Sequence, residues 1–251
     1  MKYVRVETPS GEKKYGILNG DNVQLLAGTP FEGRLLTDLS YSLDKVKLLA
    51  PVEYSKAVCI GLNYRDHAEE FGLPIPSSPV VFIKPSTAAL GCGGTIIYPP
   101  QSNRLDYEAE LAVVIGKECH NVEEKDAYDY ILGYTIANDV TARDLQPKNG
   151  QWTIAKSFDT FLPLGPYISD EVKPGDLYIT SRVNGITKQE SRTSNLIFSV
   201  PFLVSYLSKV MTLLPGDIIS TGTPGGISGM KKGDQVEIEI ENLGILKNII
   251  G

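Results

Sequence analysis

Histidine is nearly absent from this sequence, with only His67 and His120 among 251 residues. A zinc centre built from several imidazoles is therefore excluded. Cysteine is scarce too: Cys59, Cys92 and Cys119 are odd in number, widely spaced and without a CxxC pair. They support neither a structural zinc nor a disulfide framework, and read as reduced, mostly structural thiols. Basic charge is in deficit, with 24 Lys and Arg against 30 Asp and Glu and a net charge of −6. No basic stripe exists to meet nucleic-acid phosphates. No apolar run is long enough to span a bilayer. Met1-Lys-Tyr-Val-Arg-Val6 lacks the apolar centre of a secretory signal, so a cytoplasmic location is expected. There is no GxSxG elbow and no GxxxxGK[ST] loop, because Gly222-Thr-Pro-Gly-Gly-Ile-Ser-Gly229 matches neither. Any metal must then sit among oxygens, which favours Mg²⁺ or Mn²⁺.

Acids in a telling pattern are present. Asp106, Glu108 and Glu110 alternate in Leu105-Asp-Tyr-Glu-Ala-Glu-Leu-Ala-Val-Val-Ile115. Alternation running into a continuous apolar tail predicts a buried strand with all three acids on one face. Buried carboxylates need compensation, and several oxygens on one face suit a hard divalent cation. Glu237, Glu239 and Glu241 alternate as well. With Lys231 and Lys232 nearby, they read as the solvated face of an antiparallel strand.

The chain length suits one large domain, or one domain with a small appendage. Residues 1–50 read as a small β-rich unit, with Asn19-Gly20-Asp21-Asn22 as a hairpin turn between Tyr15–Leu18 and Val23–Leu26. Residues 51–251 form the second unit. Strands are predicted at 57–60, 80–83 and 131–139, and helices at 121–130 and 199–209. A short helix is expected within Asn63–Phe71, stopped by Gly72 and Pro74. Many short strands with few helices make an α+β, mainly β fold. No internal repeat or low-complexity tract is evident.

Six blocks carry a family resemblance: Gly61-Leu-Asn-Tyr-Arg-Asp-His67, Phe82-Ile-Lys-Pro85, Asp106-Tyr-Glu-Ala-Glu-Leu111, Asn138-Asp-Val-Thr-Ala-Arg-Asp144, Ala155-Lys-Ser-Phe-Asp159 and Thr221-Gly-Thr-Pro224. In this order they resemble the fumarylacetoacetate hydrolase superfamily, from about residue 50 onward. The resemblance implies a strand-rich β-roll, a homodimer, and one divalent metal per site held by Glu108, Glu110 and Asp139. Three carboxylates would leave coordination positions open for substrate and water. Asp106 is expected to support the site rather than ligate. The resemblance further implies an acid/base pair of His67 and Glu70 on a lid helix, one turn apart. Glu69 points elsewhere on such a helix, and His120 reads as a surface residue. Lys156 is placed near the metal and the developing enolate. Arg143 and Gln146 are placed at the far end of the substrate, with Lys84 among the substrate contacts. Gly222 and Thr223 are expected to receive the substrate carboxylate, where glycine permits close backbone approach.

The activity implied is hydrolysis of the C3–C4 bond of an acylpyruvate, or of a related 1,3-dicarbonyl 2-oxo acid. The alternatives are isomerisation or decarboxylation of substrates such as 2-hydroxyhepta-2,4-diene-1,7-dioate or oxaloacetate, which use the same enolate. A binding protein without turnover is the remote third reading.

Overall fold

The computed structural model describes residues 1–70, 72 and 74–251; Phe71, the last residue of the expected lid segment, lies outside them. Lys13–Asn19 and Asn22–Leu26 form the expected hairpin, with Asn19 facing Asn22 across Gly20 and Asp21. Gly20 takes φ +59°, the left-handed conformation such a two-residue loop demands. Leu36–Ser42 adds to one side of this hairpin and Lys2–Glu7 to the other. Lys2–Glu7 also pairs with Leu162–Ser169, setting Tyr3 opposite Ile168. The first strands therefore extend the main sheet. That sheet continues through Ile131–Asn138, Ala109–Ile115, Ile218–Ser220, Ala57–Gly61 and Val80–Lys84.

Every residue of Ala109–Ile115 is buried. Its continuous apolar tail fits a strand covered on both faces, where burying each Val, Leu or Ile contributes about 1.5–3 kcal/mol. A five-stranded sheet runs Ile186–Arg192, Tyr178–Val183, Gln235–Ile240, Gly244–Ile250 and Thr95–Ile96. Within it Glu237 and Glu239 are half-buried and pair with Arg182, the ordinary outward face that was expected. Val200–Ser208 is helical, capped by the Ser199 hydroxyl, which accepts from the Phe202 N–H at 3.4 Å. The helix predicted at 121–130 is a 3₁₀ run over Glu124–Tyr130.

One expectation needs correction. The segment Leu105–Ile115 is two strands rather than one. Leu105–Asp106 belongs to a small third sheet with Thr141–Ala142 and Gly229–Met230. The chain then crosses at Tyr107 and Glu108 and joins the main sheet at Ala109. The alternation thus spans a change of sheet, and Asp106 parts from the other two acids.

Candidate metal centre

Strand register assembles the centre. Ala109 faces Asn138, so one further residue along each chain brings Glu108 beside Asp139, whose N–H donates to the Glu108 carbonyl at 2.9 Å. Glu108 and Glu110 share a side by the period of two, and Asp139 joins it from the neighbouring strand's end. Ligand oxygens of Glu108, Glu110 and Asp139 lie within 4.8 Å of one another, and all three side chains are buried.

Their partners differ. Lys156, 2% exposed, ends the short helix Thr153–Lys156 and donates to Glu108 Oε2 at 2.8 Å and Asp139 Oδ2 at 2.7 Å. Its ammonium also lies 4.9 Å from the centroid of the Phe82 ring. Burial opposes charge on Lys156, but Asp139 and Glu108 outweigh it and raise its pKa. Arg143 pairs with Glu108 and donates to Asp106 Oδ2 at 2.8 Å. Burial works to raise the Glu108 carboxyl, but Lys156 and Arg143 overcome it and hold the group below the usual range.

Glu110 has no basic partner among the described residues. Its Oε2 accepts from the Ser220 hydroxyl and, at 3.0 Å, from the Gly222 N–H. Burial first, then the charges of Asp139 and Glu108, push its carboxyl up to about 8. A buried carboxylate lacking a cation, at the meeting point of two others, fits a hard divalent ion bound by oxygen. Glu108, Glu110 and Asp139 are the residues that would hold it.

Other expected residues separate into distinct places. Asp106 is gripped by Arg104, at 2.9 and 3.1 Å, and by Arg143, so it anchors the arginine that braces Glu108. Gln146 accepts a hydrogen bond from the same Arg143. Arg143, expected at the far end of the substrate, is thereby engaged with Asp106, Glu108 and Gln146. Lys84 needs a clearer correction. It is fully buried, donates to the Val140 carbonyl at 3.0 Å and the Phe161 carbonyl, and pairs with Asp139. Two carbonyls and a carboxylate thus engage the ammonium inside the protein, where it balances Asp139. Burial lowers its pKa despite the opposing charge of Asp139. Lys84→Met is expected to lower the stability of the metal-free protein by about 3–5 kcal/mol, the cost of stranding a buried partner. Urea unfolding checks this, and an unchanged midpoint would contradict the structural role.

Gly222 is also reassigned. Its N–H points to Glu110 rather than to a substrate carboxylate. Its φ of +100° and the 2.8 Å approach a Cβ would make to Asn63 explain the glycine. Thr223 is buried beside it, its oxygen accepting from Gln189 Nε2 at 2.8 Å.

The expected short helix is Arg65–Glu70. His67 Nδ1 lies 3.6 Å from Glu70 Oε2, with the imidazole 12% and the carboxylate 42% exposed. Glu70 also accepts from the Gly226 N–H at 3.1 Å. Asp66 accepts from the His67 N–H at 2.7 Å, and from Ser191 and Asn195. Asn63, fully buried, holds the helix entrance: it donates to the carbonyls of Thr221, at 2.7 Å, and Phe198, at 3.1 Å, and accepts from the Phe198 N–H at 2.7 Å. The helix is thus tied to two neighbouring segments, through contacts that range from buried at Asn63 to exposed at Glu70. We expect amide exchange across Arg65–Glu70 to slow when Mn²⁺ and oxalate, an enolate mimic, are added together. Equal protection with and without them would reject a closing lid.

Glu69 and His120 are exposed. Sequence reasoning missed Asp66, Ser220 and Gln189. Asp66 and Asn63 lay inside a quoted block, whereas Gln189 carried no signal. A cavity of about 840 Å³ lies elsewhere, lined by Arg5, Lys47, Tyr54 and Cys92 among others, and includes no member of the triad.

A buried tricarboxylate centre braced by lysine and arginine, set where an α+β fold's main sheet ends, defines the class: an enzyme site suited to a divalent metal. The chain belongs to the fumarylacetoacetate hydrolase superfamily, because residues 56–250 match the fumarylacetoacetate (FAA) hydrolase C-terminal family. Residues 1–51 match the Rv2993c-like N-terminal family. Among similar proteins, oxaloacetate tautomerase YisK of Bacillus subtilis is 45% identical, over 86% of this chain and 77% of its own. The mitochondrial oxaloacetate tautomerase Fahd2a of Rattus norvegicus is 43% identical over 81% of this chain and 69% of its own. The crystal structure of 2-hydroxyhepta-2,4-diene-1,7-dioate isomerase from Mycobacterium marinum superposes with a TM-score of 0.93 at 43% identity, covering 100% of this chain and 98% of that one.

Proposed function

We propose that this chain is a divalent-metal-dependent tautomerase or isomerase of small 2-oxo dicarboxylic acids, interconverting keto and enol forms by moving one proton. The observation that carries this reading is the buried Glu108–Glu110–Asp139 triad with Lys156 across two of its members. A bound Mg²⁺ or Mn²⁺ would supply Lewis-acid polarisation of the 2-oxo group. The chain's own residues do the rest. Lys156 sets a fixed positive charge where the enolate oxygen gains its negative one. His67, with Glu70 3.6 Å from its Nδ1 to orient the ring, takes the proton from the carbon beside the carbonyl and returns it in the reverse direction. The same proton, passed from the His67 imidazole to the enolate oxygen, completes the enol. Thr223 offers a hydroxyl to the substrate's carboxylate.

The reading draws support from the activities named for the two tautomerase relatives and the Mycobacterium marinum isomerase. It moves hydrolysis, the first expectation from sequence, to second place. Hydrolysis keeps that place because His67 and Glu70 form a pair of the kind that activates water. The test follows enol-oxaloacetate, a dienol dicarboxylate and acetylpyruvate in parallel, with Mg²⁺, with Mn²⁺ and in EDTA. Metal-dependent enol–keto conversion faster than pyruvate release from acetylpyruvate is expected. The opposite order would make the protein a hydrolase, and turnover of neither would leave a binding protein.

A further inference from the structure

Ile186–Arg192 is a strand that buries no large apolar side chain. Only Gln189 and Ser191 are buried on it, two residues apart and therefore on one side. Ser191 donates to Asp66 on the lid helix. Gln189 reaches two other parts of the site. Its Oε1 accepts from the Ala109 N–H at 3.0 Å, and its Nε2 donates to Thr223 Oγ1 and the Pro224 carbonyl, both at 2.8 Å.

These partners allow one amide orientation. The Ala109 N–H only donates and the Pro224 carbonyl only accepts, so exchanging the amide's oxygen and nitrogen would set donor against donor and acceptor against acceptor. Nε2 therefore faces Thr223, and the Thr223 oxygen must act as the acceptor in that bond. Its own proton is then directed to a different partner. Ala109 lies between Glu108 and Glu110 in sequence, so one buried amide ties the segment carrying two of the acids to this hydroxyl.

We infer that Gln189 is a positioning residue that makes Thr223 an obligate hydrogen-bond donor toward a carboxylate or 2-oxo oxygen of the bound acid. The inference rests on the proposed 2-oxo acid site and names the residue behind its ligand preference. It predicts that the site favours oxygen acceptors at this position and disfavours donors such as an amide NH₂, which would face the Thr223 proton.

Gln189→Glu is the informative change. A carboxylate keeps the bond from the Ala109 N–H, but it can only accept, so it draws the Thr223 proton back toward itself. Oxalate affinity, measured by calorimetry on Mn²⁺-loaded protein, is expected to fall roughly 10- to 100-fold, the loss of a hydrogen bond to a charged group. Mn²⁺ affinity should fall less than oxalate affinity, since neither residue is among the proposed ligands and neither bonds to a ligand side chain. Thr223→Val should give a similar loss, and the double variant no further loss, because both changes remove one interaction. If Gln189→Glu fails to fold, the amide-versus-carboxylate preference of Thr223→Val against the parent decides: the parent should prefer oxalate over oxamate by a margin that the variant loses. Unchanged oxalate affinity in Gln189→Glu, additive losses in the double variant, or an unaltered oxalate preference in Thr223→Val would each overturn the inference. Parent protein that binds oxalate yet turns over no enol would reject the activity reading alone.

Discussion

Glu110→Ala is expected to reduce metal-dependent turnover by roughly 10³-fold, the rate equivalent of several kcal/mol of lost Lewis-acid stabilisation. The same substitution should steady the metal-free protein. Glu110 is buried without a basic partner, and its carboxyl is pushed up to about 8 by burial and by Asp139 and Glu108. The folded state therefore holds this proton more tightly than the unfolded chain, where the group titrates near 4.5. Its contribution to stability is complete below about pH 4.5 and disappears as pH rises through about 8. Without metal, the melting temperature of the parent should decline across that window more steeply than that of Glu110→Gln. With metal, the sign reverses: ion binding below pH 8 expels the proton and is favoured as pH rises. Calorimetry in buffers of different ionisation enthalpy should detect close to one proton released per Mn²⁺ at pH 7. Full activity in EDTA-treated protein or in Glu110→Ala would eliminate the triad as a metal centre.

The second large effect belongs to His67. His67→Asn should slow enol–keto conversion by roughly 10² to 10⁴, the usual contribution of a positioned acid or base. Mn²⁺ affinity should hold, because the imidazole is no proposed ligand. Glu70→Gln should cost less, since its carboxylate is 42% exposed and stands 3.6 Å from the ring. Measuring tautomerisation and acetylpyruvate cleavage in the same variant separates two roles. Loss confined to cleavage would mean that His67 serves only water, and undiminished rates in both would remove it from the chemistry.

Two members of the triad were legible because their cause is local. Glu108 and Glu110 follow the period of a strand, and the apolar run after them marks its burial. Asp139 was reached only through the family blocks, since the register that sets it beside Glu108 joins segments some thirty residues apart. The same alternation misled for Asp106: nothing in the sequence announces that the chain changes sheets at Tyr107. Lys84 was placed among the substrate contacts by the family blocks, and nothing local in the sequence shows that three buried oxygens surround it. Gln189 was invisible. Its strand, Ile186-Thr-Lys-Gln-Glu-Ser-Arg192, shows no apolar alternation, and its partners lie across two other segments. Polar side chains that bridge sheets leave no periodic trace.

The pairing of Lys2–Glu7 with Leu162–Ser169 has a bearing on how this enzyme can be cut down. Tyr3, Val4 and Val6 are fully buried, with Tyr3 in the cluster that holds Leu162 and Ile168 and the two valines in the one that holds Leu111 and Ile136. Excising the leading fifty residues would not trim an appendage from an intact catalytic body. It would strip a partner from a long interior strand, uncover apolar surface on both sides of it, and leave unsatisfied backbone groups open to edge-to-edge association. Light scattering is expected to show the excised protein associating more readily than the full chain, however sound its carboxylates.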